Sequence, residues 1–284
     1  PIEYTGVTVD GGGILGIGPA KFLAKLNYQD ESFLAGTSTG SIIVALRGAG
    51  KSWEEICEMF EKEGPGIFKK PPLLWRLNPQ KPKYDAAHLE STLKYYLGDM
   101  KMKDLKKPVF ITTSDFLRGK PKVFDNTDDE MVRYAVRCST AAPTYFTPVD
   151  GRYADGGLWS NNPALVGLAG FCKQTRVNQL RCRIMSFGTG GDGWQAVKIG
   201  NSMNVLQWAS PIIQYALAGT EEAPAFIAKA LLDPRRFLRI SPKLNRVYSL
   251  DSIDSMAQYS EIWSEWEKEY YTGIWEWIEG RPAA

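Results

Sequence analysis

Histidine is almost absent from the sequence, because His88 is the only one among 284 residues. A Ser-His-Asp triad in the chain order of α/β-hydrolases needs its histidine last, after the acid. His88 instead lies early, in the helical run DAAHLESTLKYYL, which carries no other sign of a site. We therefore interpret His88 as a surface or half-buried helix residue, and a mechanism that uses an imidazole base is disfavoured.

Cysteines are few, and the sequence lacks both a strong net charge and a long apolar run. The four cysteines have no CxxC spacing, which argues against a zinc site or disulfide framework and favours reduced thiols in a cytosolic protein. A net charge of +2 gives no general argument for a nucleic-acid partner. The most apolar stretch, residues 204–219, is too short to span a bilayer. The acidic run at 125–130 lacks EF-hand spacing, so we expect no metal.

What the sequence does contain is a serine between two glycines. The segment SFLAGTSTGSIIVALRGAG combines a short apolar run, a tight turn from Gly36 to Gly40 and an apolar stretch with helical spacing. A serine at such a strand-to-helix joint is the nucleophile-elbow pattern, in which glycines permit a bend that a Cβ would obstruct. Ser38 is therefore predicted to be a catalytic nucleophile.

Strand-like and helix-like segments alternate along the chain. Strand patterns follow one another with helical patterns between them, and a hairpin pattern is also present; the strands include 4–9, 108–113, 149–153, 183–187 and 237–240, and the hairpin is at 116–124. The alternation predicts an α/β fold in which a mostly parallel central sheet has helices on both faces. Because no repeat or linker is visible, we expect one domain over residues 1–284, with a helical C-terminal part at 243–284.

Glycines also follow the first predicted strand, at Gly11, Gly12, Gly13 and Gly16. Consecutive glycines ahead of a helix can direct their amides at one point, where the helix dipole favours negative charge, so Gly11 to Gly13 are candidate oxyanion-hole residues. The same glycines fit the GxGxxG pattern of dinucleotide sites. A Rossmann fold would place an acid at the end of its second strand, whereas this chain has the serine elbow there. A nucleotide-binding oxidoreductase is therefore disfavoured.

The remaining requirement is a base for the serine proton. Asp155 follows a short predicted strand and precedes Gly156 and Gly157, which places it at the carboxyl edge of the sheet, where the elbow must also lie. A free aspartate is a weak base at neutral pH. Burial beside apolar neighbours would raise its pKa, and direct contact with the Ser38 hydroxyl would compensate through geometry. Taken alone, Asp-Gly-Gly is more typical of a turn.

Each of these motifs is common, but their order is not. A glycine-rich loop after the first strand, GxSxG after the second and DGG late in the chain resemble the patatin-like phospholipase family. Further segments resemble the same family: TSDFLRGKPKVF, AAPTYF, DGGLWSNNP, SFGTG, QWASPIIQYALAG and FLRISP. The resemblance covers the chain from Gly6 to about Pro242.

The resemblance implies a patatin-like three-layer sandwich that hydrolyses lipid acyl esters with a Ser-Asp dyad. It implies Ser38 as the nucleophile, Asp155 as the general base and the amides of the loop Gly11 to Gly13 as the oxyanion hole. Leu15 stands where the family usually has Arg or Lys before the last glycine of that loop. The backbone donors are unaffected by this difference, but the loop lacks the basic side chain that could hold it or a lipid headgroup.

Residues 64–84 lose periodicity and are predicted to form a long loop or lid. The segment has five prolines and mixes basic with large apolar side chains: Lys69, Lys70, Arg76, Lys81 and Lys83 with Phe68, Leu73, Leu74 and Trp75. Such a mixture fits docking at an anionic lipid interface. A solvated loop that folds over the core is an equally weighted alternative.

These observations together predict a serine acyl hydrolase that cleaves fatty acyl esters of phospholipids or lysophospholipids. We expect it to work in the cytoplasm or at a membrane surface, without a metal or nucleotide cofactor and without nucleic acid. Two alternatives stay open. One is a cyclic-nucleotide-activated phospholipase effector of bacterial phage defence, which some relatives in the family suggest, and the other is a non-catalytic binding protein on the same fold.

Overall fold

A computed structural model describes residues 1–78, 80–190, 205–246 and 248–280. Within these ranges, seven strands form one sheet: β1 (Tyr4–Val9), β2 (Glu31–Gly36), β3 (Val109–Asp115), β4 (Lys120–Phe124), β5 (Tyr153–Asp155), β6 (Cys182–Phe187) and β7 (Phe237–Ile240). The strand order is β4-β3-β2-β1-β6-β7, and β5 pairs with β3.

The helices connect these strands and cover both faces of the sheet. They are α1 (Ile17–Leu26), α2 (Thr39–Gly48), α3 (Trp53–Ile67), α4 (Leu73–Arg76), α5 (Ala87–Leu97), α6 (Val132–Ser139), α7 (Gly157–Ser160), α8 (Ala164–Thr175), α9 (Val205–Leu231) and α10 (Met256–Glu279). Short 3₁₀ turns lie at Gly13–Gly16, Met102–Asp104, Gln179–Arg181 and Ile253–Ser255.

Most strand pairs are parallel, as the sequence predicts. The pairs β1–β2, β1–β6, β2–β3 and β6–β7 are parallel, whereas β4 and β5 both run antiparallel to β3. The predicted hairpin at 116–124 is confirmed in its second arm, β4, but its first arm is β3, which ends at Asp115, so residues 116–119 form the turn. The predicted strand at 149–153 is displaced towards the C-terminus: only a single bridge joins Val149 to Tyr153, and the paired strand is Tyr153–Asp155.

Side chains of successive strand residues alternate between two cores, as the pleat of a strand requires. Val7 and Leu34 face the larger core, which packs against α1, α2 and α3. Phe33 faces the smaller core beneath α8, where its ring stacks on that of Phe171 at 4.7 Å between centroids. Buried apolar layers on both faces give the expected three-layer arrangement.

Two segments differ from or extend the sequence predictions. The helix predicted to end near Gly64 continues through Pro65 to Ile67, which is buried, and α4 interrupts the predicted loop at 64–84. In the C-terminal part, α10 runs from Met256 to Glu279, whereas Val247 and residues 281–284 lie outside the described residues. None of the described helices has both the length and the apolarity that crossing a bilayer requires.

Candidate active site

Ser38 lies at a sharp joint between β2 and α2. Its φ of 52° and ψ of −122° form a conformation that non-glycine residues rarely adopt. Both flanking glycines are required by close approach: a Cβ on Gly40 would lie 2.0 Å from the carbonyl oxygen of Val9, and a Cβ on Gly36 would lie 2.4 Å from that of Gly40. The Ser38 amide donates to Ser139 Oγ at 2.9 Å, which ties the turn to α6.

Strand register brings Asp155 beside this elbow. Gly36, the last residue of β2, pairs with Ile111 of β3, and Asp155 pairs with Thr113. β4 pairs with one edge of β3, so β2 and β5 share the other edge. β2 pairs with β3 as far as Ile111, and β5 pairs with it further along, from Thr113. The Gly36–Ile111 and Asp155–Thr113 pairs therefore lie about 7 Å apart along β3. Asp155 therefore reaches the elbow from an antiparallel strand that points at the end of β2, rather than from a parallel strand.

The Ser38 hydroxyl and the Asp155 carboxylate line the same cavity, and the hydroxyl acts on the carboxylate as a hydrogen-bond donor that lowers its pKa. Its Oδ1 atom also accepts from the Gly157 amide at 2.7 Å, and the Asp155 amide donates to the carbonyl oxygen of Ala141 at 3.0 Å. The side chain is only 2% exposed. Burial raises the pKa of Asp155 to about 6, against the opposing effect of the two hydrogen bonds. Ser38 thus has a carboxylate neighbour that is ionised at neutral pH and more basic than a free aspartate.

The loop from Gly11 to Gly13 lines the same cavity as Ser38 and Asp155. The Gly11 amide already donates to the carbonyl oxygen of Asn161 at 3.1 Å. Among the described residues, no acceptor is found for the amides of Gly12 and Gly13. Gly13 has a φ of +59°, and a Cβ there would lie 2.2 Å from the carbonyl oxygen of Leu250. Because the Gly11 amide already has an acceptor, the candidate oxyanion donors that remain in this loop are the amides of Gly12 and Gly13.

The cavity at these residues is mainly apolar. Its empty volume is about 1130 Å³, with the open mouth included. Side chains of α2, α3, α5 and the loops near them form much of its wall: Ile42, Met59, Phe60, Ile67, Phe68, Leu89, Tyr145 and Phe146. A hydroxyl and a carboxylate at one side of an apolar cavity can bind an ester whose acyl part is a hydrocarbon chain.

Comparison with known proteins identifies the family. The family model described as patatin-like phospholipase matches residues 7–168, which is more than half of the chain. The chain belongs to the patatin-like phospholipase family. The motif order noted in the sequence is therefore confirmed as a family resemblance.

The patatin-like chain is also similar to individual relatives. It is 29% identical over 198 residues to a cGAMP-activated phospholipase of Vibrio cholerae, covering 57% of this chain and 56% of that protein. It is 30% identical over 302 residues to an intracellular phospholipase A2 of Caenorhabditis elegans, covering 90% of this chain and 27% of that protein. Among solved structures, VipD of Legionella pneumophila matches with a TM-score of 0.48 and 12% identity, covering 91% of this chain and 67% of VipD.

His88 lies outside the site of this patatin-like protein. It is exposed on α5, and its Nε2 atom lies 3.1 Å from Glu63 Oε2 on α3. It does not line the cavity that holds Ser38 and Asp155. The structure therefore places the only imidazole of the chain away from the serine, as the sequence predicts.

A basic side chain does lie beneath the glycine loop, although Leu15 replaces the one that the family usually has there. The side chain of Arg239 in β7 is only 11% exposed, and its Nη2 atom donates to Asp10 Oδ2 at 2.6 Å and to Glu221 Oε1 at 3.1 Å. Burial raises the pKa of Asp10 to about 6, while the Arg239 charge opposes the rise. Glu221 Oε2 in turn accepts from Asn161 Nδ2, which also donates to the Gly11 carbonyl oxygen. This network could not be predicted from the sequence, where its only signal is an arginine in the strand pattern FLRI.

Proposed function

We propose that this protein is a serine acyl hydrolase that cleaves fatty acyl esters of phospholipids or lysophospholipids. Membership of the patatin-like phospholipase family supports a lipid substrate. The observation that carries the proposal is that Ser38, on its strained turn, and the buried carboxylate of Asp155 line one apolar cavity, where the Ser38 hydroxyl influences the pKa of Asp155. In the proposed reaction the lipid and water are the reactants, and no cofactor takes part.

In the proposed mechanism, Asp155 takes the hydroxyl proton as Ser38 Oγ attacks the ester carbonyl carbon. The carbonyl oxygen becomes an oxyanion, and the amides of Gly12 and Gly13 donate to it. When the C–O bond to the alcohol breaks, protonated Asp155 gives its proton to the leaving oxygen. Asp155 then deprotonates a water molecule, which attacks the acyl-serine carbonyl carbon. As the bond to Ser38 Oγ breaks, protonated Asp155 returns that proton to Oγ, and the fatty acid leaves.

Labelling with a fluorophosphonate probe tests this proposal. Such a probe forms a bond only to an activated serine, so we expect one label per chain, on the peptide that contains Ser38. Mass spectrometry of the digested protein locates the label, and release of fatty acid from phosphatidylglycerol and lysophosphatidylcholine is measured in parallel. Absence of both labelling and hydrolysis would favour the non-catalytic binding protein.

Activation by a cyclic nucleotide is a second candidate, favoured by the names of two relatives. The Vibrio cholerae protein and one from Escherichia coli, 28% identical over 225 residues, are both cGAMP-activated phospholipases. The labelling and hydrolysis assays are therefore run with and without cGAMP. Labelling and hydrolysis that depend on cGAMP support the regulated effector. Equal labelling and equal hydrolysis with and without cGAMP contradict it.

Gly64 is predicted to set the length of acyl chain that the cavity accepts. It lines the cavity from α3, and a Cβ built on it meets only the Ile14 Cδ1 atom, at 2.7 Å. A longer side chain there would extend towards the cavity. Pro65 follows directly, so any Cβ at this position meets some strain in the helix, and the alanine control shares that strain. We expect Gly64→Leu to lower the ratio of kcat/KM for palmitoyl over butyryl esters by roughly 10-fold or more.

Gly64→Ala is the matched control for this prediction. It displaces the same Ile14 atom but leaves the cavity open, so the palmitoyl-to-butyryl ratio should stay close to that of the unchanged protein. Chain-length series of p-nitrophenyl esters provide the measurement. An unchanged ratio in Gly64→Leu would show that the acyl chain does not pass this part of the cavity.

A further inference from the structure

The short helix α4 and the residue after it expose three leucines. Leu73, Leu74 and Leu77 are 62%, 85% and 69% exposed. We call residues 69–78 the leucine turn. Singly exposed leucines are ordinary on protein surfaces, but a group of three within five positions is an apolar patch that calls for a partner.

The orientation of the leucine turn is held by its tryptophan. Trp75 is half-buried, its Nε1 atom donates to the carbonyl oxygen of Pro82 at 2.9 Å, and Lys81 Nζ lies 4.6 Å from the centre of its ring. Because Trp75 takes these contacts with the returning chain, the leucines on either side of it point to solvent. The turn is therefore a formed projection, which argues against a loop folded over the core.

The charge around the leucines is of one sign. Lys69, Lys70 and Arg76 are all exposed, and within the described ranges no carboxylate pairs with any of them. The whole stretch from Gly64 to Tyr84 contains five basic residues and no acidic one, and of the five, Lys83 pairs with Asp251 at 2.6 Å. An apolar tip surrounded by unpaired cations matches the two layers of an anionic membrane surface, hydrocarbon beneath and phosphate above.

The leucine turn begins at the wall of the candidate active-site cavity. Ile67 and Phe68, directly before it, both line the cavity. The ring of Phe68 packs against those of Tyr84 and Phe146, at 5.6 Å and 6.1 Å between centroids. The chain therefore leaves the cavity wall at Phe68 and returns beside Phe68 at Tyr84. A surface that the leucines contact would lie next to the cavity.

We propose that the leucine turn inserts into the surface of an anionic phospholipid bilayer and so presents the cavity to its lipid substrate. The choice of a bilayer over an acidic protein rests on the leucines at the tip, on the cations beside them and on the adjoining cavity. It rests also on the proposed function, because a phospholipid ester is drawn from such a surface. The leucines supply insertion, and the three cations supply preference for anionic lipid.

Vesicle sedimentation tests the proposal, in a Ser38→Ala background so that lipid is not consumed. We expect binding to vesicles of phosphatidylcholine mixed with phosphatidylglycerol, and much weaker binding to phosphatidylcholine alone. Leu73→Ser/Leu74→Ser/Leu77→Ser should weaken partition at least about 100-fold. Lys69→Gln/Lys70→Gln/Arg76→Gln should weaken it about 100-fold on the anionic vesicles, since each cation near the surface contributes about fivefold.

Matched controls are available elsewhere on the surface. Leu180 and Leu231 are 62% and 77% exposed and precede β6 and β7, at the edge of the sheet opposite to Ser38. Leu180→Ser/Leu231→Ser should leave vesicle binding unchanged. Three exposed lysines on other helices serve for the charge, and their replacement should reduce binding far less than that of the turn cations: Lys94→Gln/Lys173→Gln/Lys229→Gln.

The outcomes separate docking from catalysis. With Ser38 intact, the leucine and cation variants should hydrolyse soluble p-nitrophenyl butyrate at the unchanged rate while losing activity on vesicles. Failure of the unchanged turn to bind anionic vesicles overturns the docking proposal even if the soluble ester is cleaved. Binding that survives the leucine replacements but not the cation replacements also overturns it, because that result indicates an electrostatic contact without insertion. Vesicle binding without any ester hydrolysis overturns the proposed function alone.

Discussion

Replacing Asp155 by asparagine is expected to lower kcat/KM for acyl esters by about 10³- to 10⁵-fold while the fold is kept. Asparagine has nearly the same shape, and its side-chain oxygen can still accept from the Gly157 amide. It cannot accept the Ser38 proton as the nucleophile attacks. With the only histidine of the chain exposed on α5, no imidazole lies beside Ser38 to replace the base.

The same replacement should not destabilise the protein at neutral pH. The folded pKa of Asp155, about 6, lies above the ordinary 3.8, so its contribution to stability is complete below pH 3.8 and is lost as pH rises through 6. This difference corresponds to about 3 kcal/mol of unfolding free energy. Asparagine carries no such charge, so Asp155→Asn should unfold at or above the unchanged protein's denaturant midpoint at pH 8. Its stability should also vary less between pH 4 and pH 7.

Activity should follow the opposite pH course. Because the base must be ionised, kcat/KM of the unchanged protein is expected to rise with pH through about 6 and then level off. Stopped assays with p-nitrophenyl butyrate between pH 4.5 and pH 8.5 give this profile. The combination of higher stability and lost activity distinguishes a catalytic carboxylate from a structural one.

Asp115 provides the matched control for Asp155. It ends β3, is 4% exposed and pairs with Arg152, but it does not line the cavity. Asp115→Asn should keep hydrolysis within a few fold, and so should His88→Gln. The Ser-Asp dyad would be contradicted if Asp155→Asn kept its activity, or if His88→Gln lost it.

Local sequence patterns were sufficient for much of the fold. The elbow at Ser38 could be predicted because the close contacts of Gly36 and Gly40 leave room only for glycine, and such a constraint is visible in one short segment. The hairpin of β3 and β4 and the parallel core follow in the same way from alternation and turns. Ser139, which accepts from the Ser38 amide, gave no signal, because a serine at a helix end is common.

The exact means by which Asp155 reaches Ser38 could not be predicted. The sequence placed it at the edge of a parallel sheet, whereas β5 is three residues long, antiparallel and paired to β3 beyond the end of β2. The pairing register of so short a strand is set by tertiary contacts, because three residues are too few for a hydrophobic pattern to specify it. The hydrogen bond of the Gly11 amide could not be predicted either, because its acceptor, the carbonyl oxygen of Asn161, is 150 positions away in the chain.

The buried ion network beneath the glycine loop leads to the second large prediction. Arg239 contacts Asp10 and Glu221, which are 0% and 1% exposed. Removing one member of a buried charge network leaves the others uncompensated, which typically lowers the free energy of unfolding by about 3–5 kcal/mol. We expect this loss for Arg239→Met, seen as a lower urea midpoint and a melting temperature lower by roughly 6–15 °C.

Two further variants separate the charge effect from general damage. Arg235→Met removes an arginine from an exposed pair with Asp233 nearby in the chain, and it should leave the midpoint unchanged. Adding Asp10→Asn to Arg239→Met removes one of the uncompensated carboxylates, so part of the lost stability should return. If the double variant were no more stable than Arg239→Met, lost packing rather than charge would be the cause.

The pH dependence of Arg239→Met gives the most specific test of this network. Burial already raises the pKa of Asp10 to about 6, and loss of the opposing guanidinium should raise it further. A carboxyl group with a raised folded pKa adds stability below its unfolded pKa of 3.8 and loses it as pH rises through the folded value. The deficit of Arg239→Met relative to the unchanged protein should therefore shrink as pH falls from 8 to 5, and adding Asp10→Asn should weaken that trend. A deficit that grew at lower pH would mean that Arg239 does not hold Asp10 ionised beneath the loop.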